Sequence, residues 1–159
     1  MSELTPPPGW VELEELRRLK ARYFRYLDTK DWAGFREVFA DDVVGTFDNA
    51  VATDGGDPMS QTWAGADELV TSIRTVLDGC TTVHHGHTPE LVLESQTTAR
   101  GIWAMADIID FPGGATLCGA GHYHETYTKS GGAWRIQTIH LTRTRMAFTQ
   151  TERAVADQG

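Results

Sequence analysis

Basic residues are scarce in this sequence. Fourteen lysines and arginines stand against 22 aspartates and glutamates, giving a formal net charge of −8 and a pI of about 5.1. Nucleic acid and anionic membrane both need a basic footprint, so this balance argues against either as a partner. Long apolar runs are missing as well. No stretch is long enough to cross a bilayer, and the N-terminus lacks the basic start and apolar core of a signal peptide. The cytosol is therefore the expected compartment. Cysteine is sparse: Cys80 and Cys118 form no C-x-x-C pattern, and both are expected to be free thiols packed as small apolar groups. There is no H-E-x-x-H helix and no internal repeat. What remains is an ordinary soluble composition, 40 % hydrophobic and 23 % charged over 159 residues. That length suits one domain, large enough to bury a core without a metal or disulfide staple.

Residues 1–9 hold Pro6-Pro7-Pro8 and read as a disordered or extended lead-in to a domain spanning 10–149, with a tail over 150–159. Leu13, Leu16, Lys20, Tyr23 and Leu27 step by three and four, which predicts a helix with one inward face. A second short helix carries Trp32, Phe35, Val38 and Phe39, and Val43–Phe47 reads as a strand. Residues 48–62 contain Gly55-Gly56-Asp57-Pro58 and read as a loop, a flap over a pocket. Gly65-Ala66-Asp67 opens a third helix that Gly79 stops. Beyond it, 81–94, 97–111, 115–128 and 134–148 are rich in β-branched and aromatic residues and predict four long strands. Pro112-Gly113-Gly114 and Ser130-Gly131-Gly132 supply turns. Helices gathered before an antiparallel meander indicate an α+β fold, with three helices on a curved sheet and a cavity at one end.

Several residues could carry chemistry. Strand alternation puts His84 on one face and His85 with His87 on the other, while His122 and His124 share a face. Converging histidines could bind zinc, but the spacing lacks a complete ligand set and no metal is expected. Asp107 shares a face with Trp103, Met105 and Ile109. A carboxylate on an apolar face needs a partner. Either His84 on the preceding strand provides it, forming a base–orienter dyad, or Asp107 sits near a strand end in water. Tyr23 is on the inward stripe of the first helix, as core or as a donor; Asp28 could cap the second helix; Arg143 near the end of the last strand could be a surface residue. Spacing alone leaves these alternatives open.

The run Lys20-Ala21-Arg22-Tyr23-Phe24-Arg25-Tyr26-Leu27-Asp28-Thr29-Lys30-Asp31-Trp32 resembles the opening motif of the SnoaL-like branch of the nuclear-transport-factor-2-like superfamily, which includes scytalone dehydratase and bile-acid 7α-dehydratase. His84-His85-Gly86-His87-Thr88-Pro89-Glu90, followed by Ser95-Gln96-Thr97-Thr98-Ala99, resembles the H-x-G-H-T-P-E and S-x-T-T-A run of the bile-acid enzymes. The resemblance spans roughly Leu13 to Arg145 and implies a cone-shaped, cystatin-like fold. It also implies catalytic roles for Tyr23, Asp28, His84, Asp107 and Arg143: His84 as general acid/base oriented by Asp107, Tyr23 as oxyanion donor, Asp28 orienting Tyr23 or a substrate hydroxyl, and Arg143 as anchor. Trp103, Met105, His122 and His124 are expected to shape the substrate pocket. His85 in place of an apolar residue, a longer 48–62 loop, and His122 with His124 are departures that bear on substrate. The implied reaction is loss of water from a hydrophobic, oxygenated hydroxy ketone of steroid or polyketide type, with no cofactor, because the ketone itself is the electron sink. Isomerase or polyketide-cyclase chemistry would use the same base and donor, and a non-catalytic binding or assembly domain is the remaining alternative. A homodimer or homotrimer is expected, because an apolar outer sheet face needs cover.

Overall fold

The computed structural model describes residues 7–50 and 59–150. Ten elements follow in order: α1 Trp10–Thr29, α2 Trp32–Glu37, β1 Phe39–Ala50, β2 Met59–Ala64, α3 Ala66–Val76, β3 Thr81–Gly86, β4 Glu90–Leu93, β5 Thr98–Asp110, β6 Ala115–Ser130 and β7 Ala133–Gln150. The fold is α+β, three helices packed on one large sheet, as the element order predicts. Gly55-Gly56-Asp57-Pro58 of the expected flap, most of the expected lead-in and nearly all of the expected tail lie outside the described residues.

α1 forms because its apolar spacing matches the helical period. Leu16, Leu19, Lys20, Tyr23 and Leu27 are its buried residues, while Leu13, expected on that stripe, is half-exposed. Lys30 ends the helix in the left-handed conformation at φ 59°, and its backbone N–H donates to Leu27 O. Asp31 then caps α2, accepting from Gly34 N at 2.9 Å. α3 presents Ala66, Leu69, Val70 and Ile73 to the core.

The strand order is β2-β1-β7-β6-β5-β3, with β4 also on β5. Every pairing is antiparallel except β1 with β7. Two expectations are corrected here. Residues 59–62 are not loop: they begin β2, which pairs with β1 through Val44↔Ala64 to Phe47↔Gln61. The strand expected over 81–94 is two pieces, β3 and β4, laid along one edge of β5; 87–89 interrupts them, where Pro89 removes a ladder donor. β6 and β7 shift register between Ala120 and Gly121, and a bulge there bends the sheet. Only glycine fits at 121, since a Cβ would lie 1.9 Å from Thr142 O.

The core fills the space between helices and sheet, with Phe35, Phe39, Leu69, Leu117 and Ile136 almost fully buried. Cys80 belongs to it as expected; Cys118 does not, being exposed on the other face of β6. No described helix is long and apolar enough to cross a membrane.

Candidate active site

Between α1, α3 and the inner face of the sheet lies a pocket with a cavity volume of about 90 Å³. Its walls are mostly apolar, supplied by Phe47, Trp63, Val76, Phe111 and Leu141 among others. Five polar side chains reach it: Tyr23, His84, Asp107, Tyr123 and Arg143.

His84 sits on β3 with an 8 % exposed side chain and backbone. Its Nδ1 lies 2.6 Å from Asp28 Oδ1, and its backbone N–H donates to Asp28 Oδ2 at 2.8 Å. Thr82, two residues earlier on the same strand face, donates its hydroxyl to Asp28 Oδ1 at 2.9 Å. Lys30 Nζ donates in turn to Thr82 Oγ1 at 2.7 Å. Burial pushes the Asp28 carboxyl up, but the hydrogen bonds from the His84 ring and backbone and from Thr82 outweigh it and hold Asp28 below the usual carboxylate range. An ionised Asp28 can only accept, so Nδ1 is the donor of this contact, and in the neutral form of the ring Nε2 would be the nitrogen without a proton. Phe24 stacks on the imidazole at 6.4 Å and 15°. The glycine of the histidine motif makes room for it: a Cβ on Gly86 would lie 2.4 Å from the Phe24 ring.

The expected His84–Asp107 hydrogen bond is absent. The two residues are register partners on β3 and β5 and both face inward, yet His84 Nε2 and Asp107 Oδ2 are 4.0 Å apart. Arg143 takes the Asp107 carboxylate instead, Nη1 to Oδ1 and Nη2 to Oδ2, both 2.8 Å. A two-point guanidinium fork outcompetes a single imidazole contact. Asp28 takes up His84 on the other side, through its ring and its backbone N–H. Burial works against the Arg143 charge, but the Asp107 bonds exceed it and raise the Arg143 pKa. Gly119 leaves space for the pair, since a Cβ there would lie 2.2 Å from Asp107 Oδ1. Arg143 Nε is buried without an acceptor among the described residues.

Tyr23 and Tyr123 are 1 % and 2 % exposed, with rings 5.7 Å apart in an edge arrangement. Burial, followed by their mutual proximity and the Glu125 and Asp107 carboxylates, keeps the Tyr23 phenol protonated. Tyr123 is raised for the same leading reason, burial. Both phenols stay neutral, and a side-chain hydrogen bond between them raises Tyr23 and lowers Tyr123, with Tyr23 as the donor.

Four residues expected to shape the pocket do not line it. Trp103 and Met105 are buried on the inner face, Trp103 donating Nε1 to Tyr127 OH at 2.8 Å and Met105 Sδ lying 3.8 Å from Arg143 Nη1. His122 and His124 point the other way, onto the outer face, where His124 neighbours His140 at 6.3 Å and His140 bonds Asp48 at 2.9 Å. Tyr123 was the missed residue. The Pro112-Gly113-Gly114 turn pairs Asp107 with Gly119 and Trp103 with Tyr123, so odd positions on β6 share the inner face with Asp107. The signal was present in the turn. Thr82 and Lys30 had no comparable signal. Among the described residues no three His, Cys, Asp or Glu side chains converge as a metal site would require.

Comparison with known proteins adds the following. The family profile of the SnoaL-like domain matches residues 12–140. The Gibberella zeae protein named "Probable cyclase FGR4" is 26 % identical over 134 residues, covering 80 % of this chain and 88 % of that one. A type 2 hexachlorocyclohexane dehydrochlorinase, LinA, superposes with a TM-score of 0.74 at 16 % identity, covering 94 % of this chain and 95 % of its own. A scytalone dehydratase-like protein of Novosphingobium aromaticivorans gives 0.72 at 18 % identity, with coverage of 92 % and 91 %. At these identities the structural likenesses speak to the fold.

Proposed function

Because the chain belongs to the SnoaL-like family, we propose that it is a dehydratase-type lyase acting without a cofactor on a hydrophobic hydroxy ketone. The observation that carries this reading is His84. Its Nδ1 is engaged by an ionised carboxylate, and its Nε2 is left for a pocket that also holds two neutral phenols. That is a base, its orienter and an oxyanion donor in one apolar enclosure.

In the proposed reaction, His84 Nε2 removes the proton beside, or in conjugation with, the substrate carbonyl. The C–H electrons pass to the carbonyl oxygen, which accepts a hydrogen bond from Tyr123 as it gains charge, with Tyr23 donating to Tyr123 behind it. The Asp28 carboxylate stabilises the imidazolium. The enolate then reforms the carbonyl and expels the β-hydroxyl, which takes the proton from His84 Nε2 and leaves as water. The product is the conjugated enone, and His84 returns to its starting state. Arg143 holds Asp107 neutralised inside the pocket, and its Nε is a donor for a further substrate oxygen. The apolar walls and the small-molecule habit of the family support a hydrophobic ligand of steroid or polyketide type.

A second reading is cyclisation or isomerisation. FGR4, whose name describes a cyclase, favours it. It uses the same base and donors but no leaving hydroxyl. The test is a dehydration assay on a panel of β-hydroxy ketones, followed by mass loss of water and enone absorbance. Turnover by the parent that His84→Ala abolishes supports the lyase. A product of unchanged mass supports the second reading, and full activity in His84→Ala defeats both. We further propose a cytosolic homo-oligomer; the unpaired Cys80 and Cys118 suit a reducing compartment.

A further inference from the structure

An ion pair stands behind the two phenols and has no part in the reaction above. Lys20 and Glu125 are 1 % and 3 % exposed, and Lys20 Nζ hydrogen-bonds Glu125 Oε1. Glu125 Oε2 accepts from Tyr127, whose hydroxyl accepts from Trp103 Nε1. The Lys20 ammonium lies 3.9 Å from the centroid of the Tyr23 ring, 3.6 Å from that of Tyr123 and 4.9 Å from that of Phe24. For stability alone such a pair is a poor device, because well-packed apolar groups of similar volume do as well or better. Its placement suggests another use. The rings it contacts most closely are those whose hydroxyls reach the pocket.

A cation on the face of a phenol is attracted to the ring quadrupole. By Coulomb's law it stabilises the phenolate more than the phenol, which makes the O–H a stronger donor. The other influences on Tyr23 run the opposite way: burial, the neighbouring Tyr123, Glu125 and Asp107 all hold its proton on. Two cations stand near the phenols: Arg143, which lowers Tyr123, and Lys20, whose ammonium lies on the faces of both rings. The charged and titratable groups packed on it are Tyr23 from α1, and Tyr123 and Glu125 from β6.

We propose that Lys20 is a positioning residue: its ammonium clamps the rings of Tyr23 and Tyr123 together and strengthens their hydroxyls as donors, Tyr23 to Tyr123 and Tyr123 to a ligand oxygen in the pocket. The consequence for catalysis rests on the proton-transfer reading of that pocket; the clamp itself does not. The clamp also has a built-in readout. Burial, partly offset by Glu125, lowers the Lys20 pKa to about 8, so the cation is lost at a mild pH.

The deciding experiment is NMR of ligand-free protein labelled with ¹³Cζ-tyrosine. In the parent, the Tyr23 and Tyr123 resonances should move together with a midpoint near pH 8. Lys20→Met should fix both at their alkaline positions, and Lys20→Arg, which keeps a cation at every pH used, should fix both near their neutral-pH positions. Should Lys20→Met fail to fold with Glu125 stranded, the double variant Lys20→Met/Glu125→Gln, read against Glu125→Gln alone, isolates the effect of the ammonium. Tyr23 and Tyr123 shifts at about pH 7 that are unchanged by removing the ammonium would overturn the clamp. On a substrate the parent converts, Lys20→Met should lower kcat about thirtyfold with KM little changed, the order carried by a desolvated cation–π contact, and Lys20→Arg should recover most of it. A parent that converts no hydroxy ketone while its tyrosine shifts behave as described defeats the lyase reading and leaves the clamp standing.

Discussion

Asp28 accepts three hydrogen bonds, from the His84 ring, the His84 backbone and Thr82, so its carboxylate is both fixed in place and kept ionised. Asp28→Asn preserves the shape but removes the counter-charge to the imidazolium and puts a donor beside Nδ1. In the proposed lyase, kcat should fall roughly 10²–10⁴-fold with little change in ligand binding, measured by steady-state kinetics alongside ligand titration. Gly119 gives a second test of residue-scale geometry. Gly119→Ala places a methyl group 2.2 Å from Asp107 Oδ1 and 2.5 Å from Arg143 Nη1, which opens the buried pair. A loss of about 3 kcal/mol or more in urea unfolding is expected. Gly113→Ala, with nothing within 4 Å of its Cβ, is the control and should be close to silent. His84 was legible in the sequence because a motif surrounds it and its alternation is unambiguous. Its partner was not. Asp107 is its cross-strand neighbour by Cα register, and nothing in a strand pattern reveals that an arginine 36 residues later holds that carboxylate with two bonds.

The C-terminal turn of α1 is what brings Asp28 to β3, and an element-scale pH dependence follows from that contact. The Asp28 pKa lies below its ordinary value of 3.8, so the pairing contributes stability that is fully present above pH 3.8 and is lost as pH falls through the depressed native value. Unfolding free energies measured down through that range should fall in the parent, and Asp28→Asn should lack this component. The middle of α1 has the opposite kind of dependence. Lys20 is held at about 8 in the fold and returns to about 10.5 when unfolded, so between those values the unfolded chain binds more protons. Unfolding free energy should therefore rise with pH across that window relative to Lys20→Met, whose difference from the parent isolates the lysine from the buried tyrosines. Helix α1 itself was readable from its three-and-four spacing. β2 was hidden because Met59–Ala64 is mostly exposed, with neither a clean apolar alternation nor a core residue to mark it. The inward parity of β6 was misread because two histidines drew attention to even positions, while Tyr123, Glu125 and Tyr127 carried the buried register.

At the scale of the whole molecule, the three helices cover one face of the sheet and leave the other unpartnered by any described element. The α+β order was legible because helices precede a meander in the chain; the parallel β1–β7 pairing was not, since it joins strands almost a hundred residues apart without a local turn. The open face mixes hydroxyls and histidines with apolar residues: Val83 and Ile108 are register partners there, 39 % and 43 % exposed, and Val44 on β1 is 40 % exposed. Burying such residues is worth about 1.5–3 kcal/mol each, whereas a second copy laid on the face also covers the outer β3–β5 surface without asking the inner pocket to move. The net charge of −8 opposes association through repulsion, so the effect should be sensitive to salt, growing stronger as screening increases. Light scattering across a concentration series is expected to give a dimer or trimer at physiological salt, and Ile108→Lys, which sets a charge on the outer face of β5 beside the edge strand β3, should shift the species toward monomer while leaving the melting of the isolated fold nearly unchanged. A parent that stays monomeric at high concentration and raised salt would show that the threonines, histidines and scattered apolar groups of this face are sufficiently solvated to need no cover.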